Sequence, residues 1–301
     1  MSHVAALDES RVAERRTAVD AALADIAAGR LAGMPAPVAE AVRYTLAGGG
    51  KRLRGLLLLA AYDAVGGTDD ATALAAAVEV VHAYSLVHDD LPCMDDDDVR
   101  RGRATVHRAF GVPVATAAGL AMVPLAAQCA YDAAASLALP EAARGAIVQE
   151  LMRASGAGGM IGGQLLDLEG EGLALSLEAL ERIHSAKTGA LITAAVVLGG
   201  RAAGASDAQL EALRRYGASI GLAFQIYDDV LDVTATSDEL GKTAGRDLAL
   251  RKSTYPAHLG IEGAIARARA LVEEACAALE AAGLLTPALE QVARFTVTRR
   301  S

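Results

Sequence analysis

Hydrophobic stretches rich in Ala, Leu and Val fill most of the chain, and short clusters of Gly and Pro interrupt them. Ala and Leu are strong helix formers, whereas aromatic strand formers are scarce, with three Phe and no Trp. The pattern therefore predicts an all-α fold. We expect helices over residues 8–29, 36–47, 52–65, 70–91, 111–137, 140–161, 176–199, 206–233, 246–259, 261–282 and 286–298.

Several helix boundaries carry their own signals. A Ser-x-x-Gln capping box at Ser206 and Gln209, and a Ser176 that precedes an acidic turn, predict helix starts. No Ser/Pro-rich linker or abrupt change in composition divides the sequence, so we expect a single domain over residues 1–301. Gly residues favour helix ends, which we expect at Gly66-Gly67, Gly199-Gly200 and Gly204.

Charge and cysteine usage narrow the class of protein. The net charge is −9 and the pI is about 5.2, which argues against a nucleic-acid-binding face. The three cysteines show neither a paired framework nor zinc spacing, which indicates a reducing cytoplasm. The longest apolar stretches, 56–62 and 190–198, are shorter than the ~20 residues that span a bilayer. With no signal-peptide pattern at the start, we expect a soluble, cytoplasmic protein.

Two clusters of aspartates are the strongest chemical feature. One lies between Asp89 and Asp98, and the other comprises Asp228, Asp229 and Asp232. Neighbouring carboxylates raise one another's pKa unless cations hold them. Mg²⁺ prefers one or two protein carboxylates together with phosphate oxygens. The two clusters, with Lys and Arg between them in the sequence, therefore predict a diphosphate held between metal ions and basic side chains.

Backbone geometry predicts how the first cluster is arranged. Pro92 ends the regular hydrogen bonding of the preceding helix, so Asp95 can turn back toward Asp89. The alternative for residues 95–98 is an acidic loop in solvent, because runs of like charge are usually at the surface. An EF-hand is excluded, since the Gly and Glu that its loop requires are missing.

The second cluster lies on a predicted helix. In a regular helix its carboxylates and an amide fall within an arc of about 100°, and so line one wall. The neighbouring residues are apolar, and unpaired carboxylates would be costly to bury among them. The spacing therefore favours a metal site. The four residues of this wall are Gln225, Asp228, Asp229 and Asp232.

The basic side chains each have a second interpretation. Lys51-Arg52-Arg54 could be a solvated basic turn, and it is no P-loop because Arg52 replaces Ser or Thr. Arg100 and Arg101 could merely neutralise the Asp run beside them. His82, on an apolar helix, could be a core histidine, and Lys187-Thr188 lies within a predicted helix where solvated Lys is common. The Gly-rich stretch 155–163 predicts helix flexing or close packing, with Gln164 and Asp167 facing a cavity.

Seven stretches, in the same order and over nearly the whole chain, resemble trans-prenyl diphosphate synthases (the polyprenyl synthetase family), most of all bacterial farnesyl diphosphate synthase. The resemblance implies an isoprenoid-synthase-type helical bundle around a central cavity, and a homodimer. It also implies head-to-tail condensation of isopentenyl diphosphate with dimethylallyl or geranyl diphosphate to give farnesyl diphosphate. The stretches are 48–54 (GGGKRLR), 82–102 (HAYSLVHDDLPCMDDDDVRRG), 162–167 (GGQLLD), 187–189 (KTG), 224–232 (FQIYDDVLD), 240–245 (LGKTAG) and 252–256 (KSTYP).

The resemblance also implies roles for individual residues. Mg²⁺, with three ions when substrate is bound, would bind Asp89, Asp95 and Asp228, with Asp90, Asp229 and Asp232 as further candidates. The allylic diphosphate would be held by Arg100, Lys187, Thr188, Gln225 and Lys242. Isopentenyl diphosphate would be held by Lys51, Arg54, His82 and Arg101, and Lys252 would lie near the allylic pocket.

Product length would be set beneath Asp89. Ser85 lies one helical turn below it and Tyr84 lies about 7.5 Å lower along the axis, so Tyr84 is expected to stop a fifteen-carbon tail. Geranylgeranyl diphosphate synthase, a class I terpene cyclase and a non-catalytic regulatory partner remain alternatives. The chain departs from the family at Leu120, where Asp is common, and at Arg246, where Lys is common. Its end, Arg299-Arg300-Ser301, is basic, as in relatives where the tail closes over the site.

Overall fold

A computed structural model of the protein describes residues 9–234 and 253–299. Within these ranges the chain is almost entirely helical, with a single β-hairpin whose two strands have two residues each. The predicted all-α fold is therefore confirmed. The elements are α1 (Glu9–Gly29), α2 (Ala36–Leu46), α3 (Leu53–Val65), α4 (Thr72–Asp89), β1 (Val99–Arg100), β2 (Arg103–Ala104), α5 (Val106–Phe110), α6 (Val112–Ser136), α7 (Glu141–Ser155), α8 (Met160–Glu169), α9 (Leu177–His184), a π-helical segment (Ser185–Gly189), α10 (Ala190–Ala202), α11 (Asp207–Thr234), α12 (Tyr255–Ala281) and α13 (Pro287–Phe295).

The core is built around α4 and α10, whose residues are buried on nearly every side. Helix α4 packs against α6, α1 and α3, and α10 packs against α3, α11 and α7. Both helices are rich in Ala and Val, whose small side chains allow neighbouring helices to approach. The C-terminal end of α4 therefore emerges from the middle of the bundle, where Asp89 is its last residue.

Most of the predicted boundary signals are confirmed. The backbone N–H of Ser206 donates to Oε1 of Gln209 at 2.9 Å, and the N–H of Gln209 donates to Oγ of Ser206 at 3.3 Å, as a capping box requires. Oγ of Ser176 accepts the N–H of Ala179 at the start of α9. Gly66 follows α3 with a φ of 103°, in the left-handed region that glycine favours.

The prediction that Gly199-Gly200 ends a helix is wrong. Helix α10 continues to Ala202, and Gly204 follows it with a φ of 78°. Gly199 is needed for packing instead, because a Cβ atom there would lie 2.2 Å from the carbonyl oxygen of Leu58 in α3. A close contact between two helix backbones thus overrides the local preference of glycine for a helix end.

Two other predicted helices differ from the structure. The helix predicted over 140–161 ends at Ser155, and α8 follows as a separate helix to Glu169. The helix predicted over 176–199 is interrupted by the π-helical segment. The break predicted between residues 259 and 261 is confirmed, because α12 has a non-helical Gly260 with a φ of 70° and continues from there to Ala281. The helix predicted over 246–259 lies partly outside the described residues.

Among the described residues, two helical stretches could cross a membrane by length and composition alone, Val112–Ser136 and Leu177–Ala202. In the second, 72% of the apolar window is buried inside the protein, as in a core helix of a soluble protein. In the first, 39% is buried, so much of α6 faces outward. The absence of a membrane span and the single domain over residues 1–301 stay predictions.

Candidate active site

The first aspartate cluster begins at the end of α4 and turns back on itself. The backbone N–H of Asp95 donates to the carbonyl oxygen of Asp89 at 2.8 Å, so the chain reverses after Pro92 as predicted. Burial raises the pKa of Asp89 to about 6; the charge of Lys187 opposes this rise, and that of Asp95 adds to it. The carboxylates of Asp89 and Asp95, which repel each other, are thus held close together, and a hard cation would stabilise this arrangement.

Asp90 has a different partner. It is buried, and Nε of Arg100 donates to its Oδ1 at 2.7 Å and to its Oδ2 at 3.0 Å. Arg100 also lies 3.4 Å from Oδ2 of Asp97. A metal ion at Asp90 would have to displace this guanidinium, so the geometry favours Asp90 as the residue that orients Arg100 rather than as a metal ligand.

The second cluster lies on α11, and two of its carboxylates have protein partners that the sequence did not indicate. Oδ1 of Asp228 accepts from Arg299 at 2.7 Å, and Oδ2 of Asp229 accepts the backbone N–H of Tyr255 at 2.9 Å. Asp229 and Asp232 are buried, whereas the side chain of Asp228 is 33% exposed. Asp228 is therefore the most accessible metal ligand of this wall.

Lys187 and Thr188 lie in the π-helical segment, not in a regular helix as predicted. Nζ of Lys187 donates to Oδ2 of Asp167 at 2.7 Å, and Thr188 is buried. The predicted close packing of the Gly-rich stretch is confirmed, because a Cβ atom at Gly163 would lie 2.2 Å from the backbone nitrogen of Lys187. Segments of this kind often occur at functional sites, since the extra residue redirects side chains.

Gln164 lies on α8 beside this segment. The side chain is buried, and neither atom of its amide has a hydrogen-bond partner among the described residues. A buried amide without a partner is costly unless a ligand or water completes it. The position is consistent with the expectation that Gln164 faces a cavity.

A group of basic side chains lies beside the acidic clusters. Burial lowers the pKa of Arg54, with a smaller contribution from Arg101, and burial with neighbouring arginines lowers the pKa of His82 well below its ordinary value. Nε of Arg54 and Nδ1 of His82 are buried without a hydrogen-bond partner in the described ranges. Burial and the charge of Arg299 lower the pKa of Lys51. A diphosphate would relieve the mutual repulsion of these groups, which a solvated basic turn would not show.

Arg52, in the same motif, has a structural role. Its backbone is left-handed, with φ of 50°, and its side chain donates to Oδ1 of Asp20 at 2.7 Å and to the carbonyl oxygen of Gly48 at 2.8 Å. The guanidinium of Arg101 donates to the carbonyl oxygen of Gly49. These contacts fix the loop that precedes α3, and so fix where Lys51 and Arg54 point.

Electrostatic contacts connect the two acidic clusters. The charges of Glu79, Asp228 and Asp89 oppose the lowering of the pKa of Arg54 by burial, so this one side chain lies within electrostatic range of both clusters. Within the described residues, no group of three or more His, Cys, Asp or Glu is arranged to hold a metal ion on its own. Mg²⁺ takes few protein carboxylates and completes its shell with phosphate oxygens and water.

The residues predicted to set product length are buried beneath Asp89. Tyr84 is 2% exposed, and its hydroxyl donates to the carbonyl oxygen of Ser155 at 3.1 Å. Its ring meets that of His88 edge to face, with 5.9 Å between the centroids. Oγ of Ser85 donates to the carbonyl oxygen of His82 at 2.9 Å. Lys242, Arg246 and Lys252 lie outside the described residues, and their roles stay predictions.

The sequence and fold are similar to those of known prenyl diphosphate synthases. A family model described as Polyprenyl synthetase matches residues 35–289. The chain is 48% identical over 271 residues to farnesyl diphosphate synthase of Escherichia coli (strain K12), covering 87% of this chain and 89% of that one. It is also 48% identical over 246 residues to geranylgeranyl pyrophosphate synthase 9, chloroplastic, of Arabidopsis thaliana, covering 80% of this chain and 68% of that one. For some other plastid relatives the match spans less than two thirds of their length, 64% in one case.

A solved structure shares the fold. Geranylgeranyl pyrophosphate synthetase from Pyrococcus horikoshii superposes with a TM-score of 0.83 at 30% identity, covering 96% of this chain and 98% of that one. The predicted isoprenoid-synthase-type helical bundle is thereby confirmed.

Proposed function

Because the chain belongs to the polyprenyl synthetase family, we propose that it condenses isopentenyl diphosphate with dimethylallyl or geranyl diphosphate to form farnesyl diphosphate. The protein is a trans-prenyl diphosphate synthase and thus a prenyltransferase, given its family and relatives. The observation that carries the proposed condensation of two diphosphates is the position of Arg54, within electrostatic range of Asp89 and Asp228. One diphosphate can thus bind to metal ions while a second binds to basic side chains alone.

The residues present fit Mg²⁺. Asp89, Asp95 and Asp228 would hold it, because they supply hard oxygen donors from two walls that Arg54 connects. When bound, the metal would neutralise charge that develops on the leaving diphosphate. The number of three ions stays a prediction.

Lys187 would add positive charge at the same leaving group, since its charge already acts on Asp89. Such fixed cations stabilise the ionised transition state more than the substrate, as catalysis requires. Thr188 and Gln225, on the adjacent π-helical segment and α11, would complete the contacts to the allylic diphosphate. No protein base is needed, because the released diphosphate can take the proton lost after the carbon–carbon bond forms.

Isopentenyl diphosphate must not ionise, so its site needs cations without metal. Lys51, Arg54 and Arg101 would supply the charge, each with a pKa lowered by burial. His82, with a pKa well below its ordinary value, is neutral near pH 7 and can donate one hydrogen bond. Burial of these groups strengthens their attraction to an anion.

Tyr84 supports a fifteen-carbon product. The ring is fully enclosed and fixed by Ser155 and His88, so a tail that grows down from Asp89 would meet it. The second candidate is geranylgeranyl diphosphate, because plastid proteins named for that product match the chain at the same identity as the bacterial farnesyl diphosphate synthase. A terpene cyclase is disfavoured by the scarcity of aromatic residues, and a non-catalytic partner by the presence of both Asp motifs.

A second copy of the chain is the partner that we propose for the outer face of α6. Val112 is 42% exposed and Leu120 is 61% exposed on this apolar helix. Leu120, where the family commonly has Asp, adds to the apolar area, and exposed apolar patches of this kind mark interfaces. Leu120→Arg should shift the protein from dimer to monomer in light scattering after size exclusion, whereas Leu173→Arg, at another exposed Leu, should not. The cytoplasmic location stays a prediction.

The activity test uses purified protein with labelled isopentenyl diphosphate, each allylic primer in turn, and Mg²⁺ with or without a chelator. We expect farnesyl diphosphate from both primers and no product with the chelator. No product from any primer would contradict the enzymatic function. A twenty-carbon main product would contradict the assignment of Tyr84, and loss of primer without incorporation of label would favour the cyclase.

A further inference from the structure

The carboxylate of Asp229 joins three segments of the chain. Its Oδ2 accepts the backbone N–H of Tyr255 at 2.9 Å and lies 3.3 Å from Nε2 of His184. All three residues are buried, with exposures of 6%, 0% and 8% respectively. Tyr255 is the first residue of α12, and His184 is the last residue of α9, directly before the π-helical segment. One oxygen thus connects the second acidic wall, the segment that carries Lys187, and the start of α12.

Further contacts make this junction rigid. The rings of His184 and Tyr255 are stacked, with 5.9 Å between the centroids and 16° between the planes. The hydroxyl of Tyr255 donates to Oε1 of Glu181 in α9 at 2.6 Å. The charge of Asp229 is also favourable beside the first N–H groups of α12, which have no partner within the helix. Tyr255 is therefore held at both ends, and His184 is held between it and Asp229.

The position of the π-helical segment depends on this junction. A π-turn holds one residue more than a regular turn, and its relaxation would rotate the following side chains by about 100°. Lys187 lies three residues after His184, so such a rotation would move it away from Asp89 and Asp167. A contact that fixes His184 therefore fixes the direction of Lys187.

We propose that Asp229 is a positioning residue, which holds the π-helical segment in register with Asp228 and does not bind Mg²⁺. This inference rests on the proposed function in one respect: the proposed condensation is the reaction for which the π-helical segment must lie in register with Asp228. Two donors already converge on Oδ2 of Asp229, whereas its neighbour Asp228 is more exposed and faces Arg299. Asp228 is thus placed to bind the ligand, whereas Asp229 stabilises the fold around it.

Asp229→Asn separates the two roles. Both donors use the same oxygen, so the single amide oxygen of Asn can accept both hydrogen bonds, while the charge that a metal ligand needs is lost. Asp228→Asn, one residue earlier on α11, is the matched control. In the product assay, we expect Asp229→Asn to raise the Mg²⁺ concentration for half-maximal activity by less than threefold, and Asp228→Asn to raise it at least tenfold. A rise of threefold or more in Asp229→Asn would overturn the proposal.

A second measurement needs no metal, no substrate and no activity. Hydrogen exchange at residues 185–189 in the metal-free protein, followed by mass spectrometry, reports how firmly the π-helical segment is held. We expect His184→Leu to speed this exchange at least tenfold and Asp229→Asn to leave it within threefold of the unsubstituted protein. Unchanged exchange in His184→Leu would overturn the proposal even if Asp229→Asn failed to fold. Absence of product from the unsubstituted protein would count against the proposed function alone.

Discussion

Nη2 of Arg299 lies 2.7 Å from Oδ1 of Asp228, so the last described residue of the chain is folded onto the second acidic wall. The guanidinium also lies 3.9 Å from the centroid of the Phe224 ring and donates to the carbonyl oxygen of Phe224 at 3.0 Å. The sequence indicated a basic tail similar to tails that close over the site in relatives, but it indicated no partner residue for Arg299. In the structure, this tail places a cation on an oxygen that we propose as a ligand of Mg²⁺.

Arg299→Ala should therefore lower the Mg²⁺ requirement. A partly exposed, hydrogen-bonded ion pair of this kind contributes about 1 kcal/mol, which corresponds to roughly a fivefold change in an equilibrium constant. We expect the Mg²⁺ concentration for half-maximal activity to fall by about that factor, with Arg299→Lys close to the unsubstituted protein. A higher requirement in Arg299→Ala would show that the guanidinium assists metal binding.

Tyr84→Ala should lengthen the product. Removal of the ring opens space below Asp89, so we expect products longer than fifteen carbons by chromatography of the hydrolysed prenyl chains. The same change should cost about 3–5 kcal/mol of stability, as for other large aromatic side chains replaced by Ala. Tyr84→Phe is the control, because it keeps the ring and loses only the hydrogen bond to Ser155. An unchanged fifteen-carbon product in Tyr84→Ala would show that Tyr84 does not limit product length.

The sequence was sufficient where the structure depends on local geometry. The period of a helix places Asp228, Asp229 and Asp232 on one stretch of α11, and Pro92 explains the return of Asp95. The capping box at Ser206 is equally local. These features follow from spacing along a few turns of backbone, which the hydrophobic and polar pattern records directly.

Contacts between distant segments could not be predicted in this way. Arg299 and Asp228 are 71 residues apart, and Asp229 and Tyr255 are 26 apart, so no local period connects them. The π-helical segment depends on such contacts, and so does the continuation of α10 through Gly199. Each is a case in which tertiary packing outweighs a local preference. The sequence does show a basic tail and glycines inside apolar stretches. These features mark positions that matter, but they do not identify the residues that those positions contact.

Gly163→Ala should disturb the site without unfolding the protein. A Cβ atom at Gly163 would lie 2.2 Å from the backbone nitrogen of Lys187 and 2.6 Å from its Cα, so the π-helical segment would have to move. Overpacking of this kind costs about 1–3 kcal/mol, and we expect kcat to fall by more than about tenfold. Gly145→Ala is the control, since it lies within α7 with open space around it and should be stabilising or neutral. Full activity in Gly163→Ala would mean that the register of Lys187 tolerates displacement.

Glu150 should contribute a pH-dependent part of the stability. It is 7% exposed on α7; its Oε1 accepts from Arg214 at 2.9 Å and from Arg153 at 3.0 Å, and Arg201 lies 3.5 Å from its Oε2. Burial alone would raise the pKa of Glu150, but the hydrogen bonds and charges of Arg214 and Arg153 outweigh it and lower the pKa from 4.5 to about 2. A carboxyl whose pKa is lower in the folded state stabilises that state above the unfolded pKa. The contribution is therefore complete above pH 4.5 and is lost as the pH falls from 4.5 toward 2.

Glu150→Gln should consequently reduce the free energy of unfolding by about 3 kcal/mol at pH 7, because it removes a buried carboxylate whose pKa three partly exposed guanidinium groups hold low, those of Arg153, Arg201 and Arg214. The deficit should shrink when urea unfolding is repeated near pH 3, where Glu150 of the unsubstituted protein has lost part of the same contribution. Glu211→Gln is the matched control, since its partner Arg215 is exposed and such pairs contribute at most about 1 kcal/mol. Both measurements need one protein concentration, so that any dimer contributes equally. An equal deficit for Glu150→Gln at both pH values would show that packing, not charge, carries the effect.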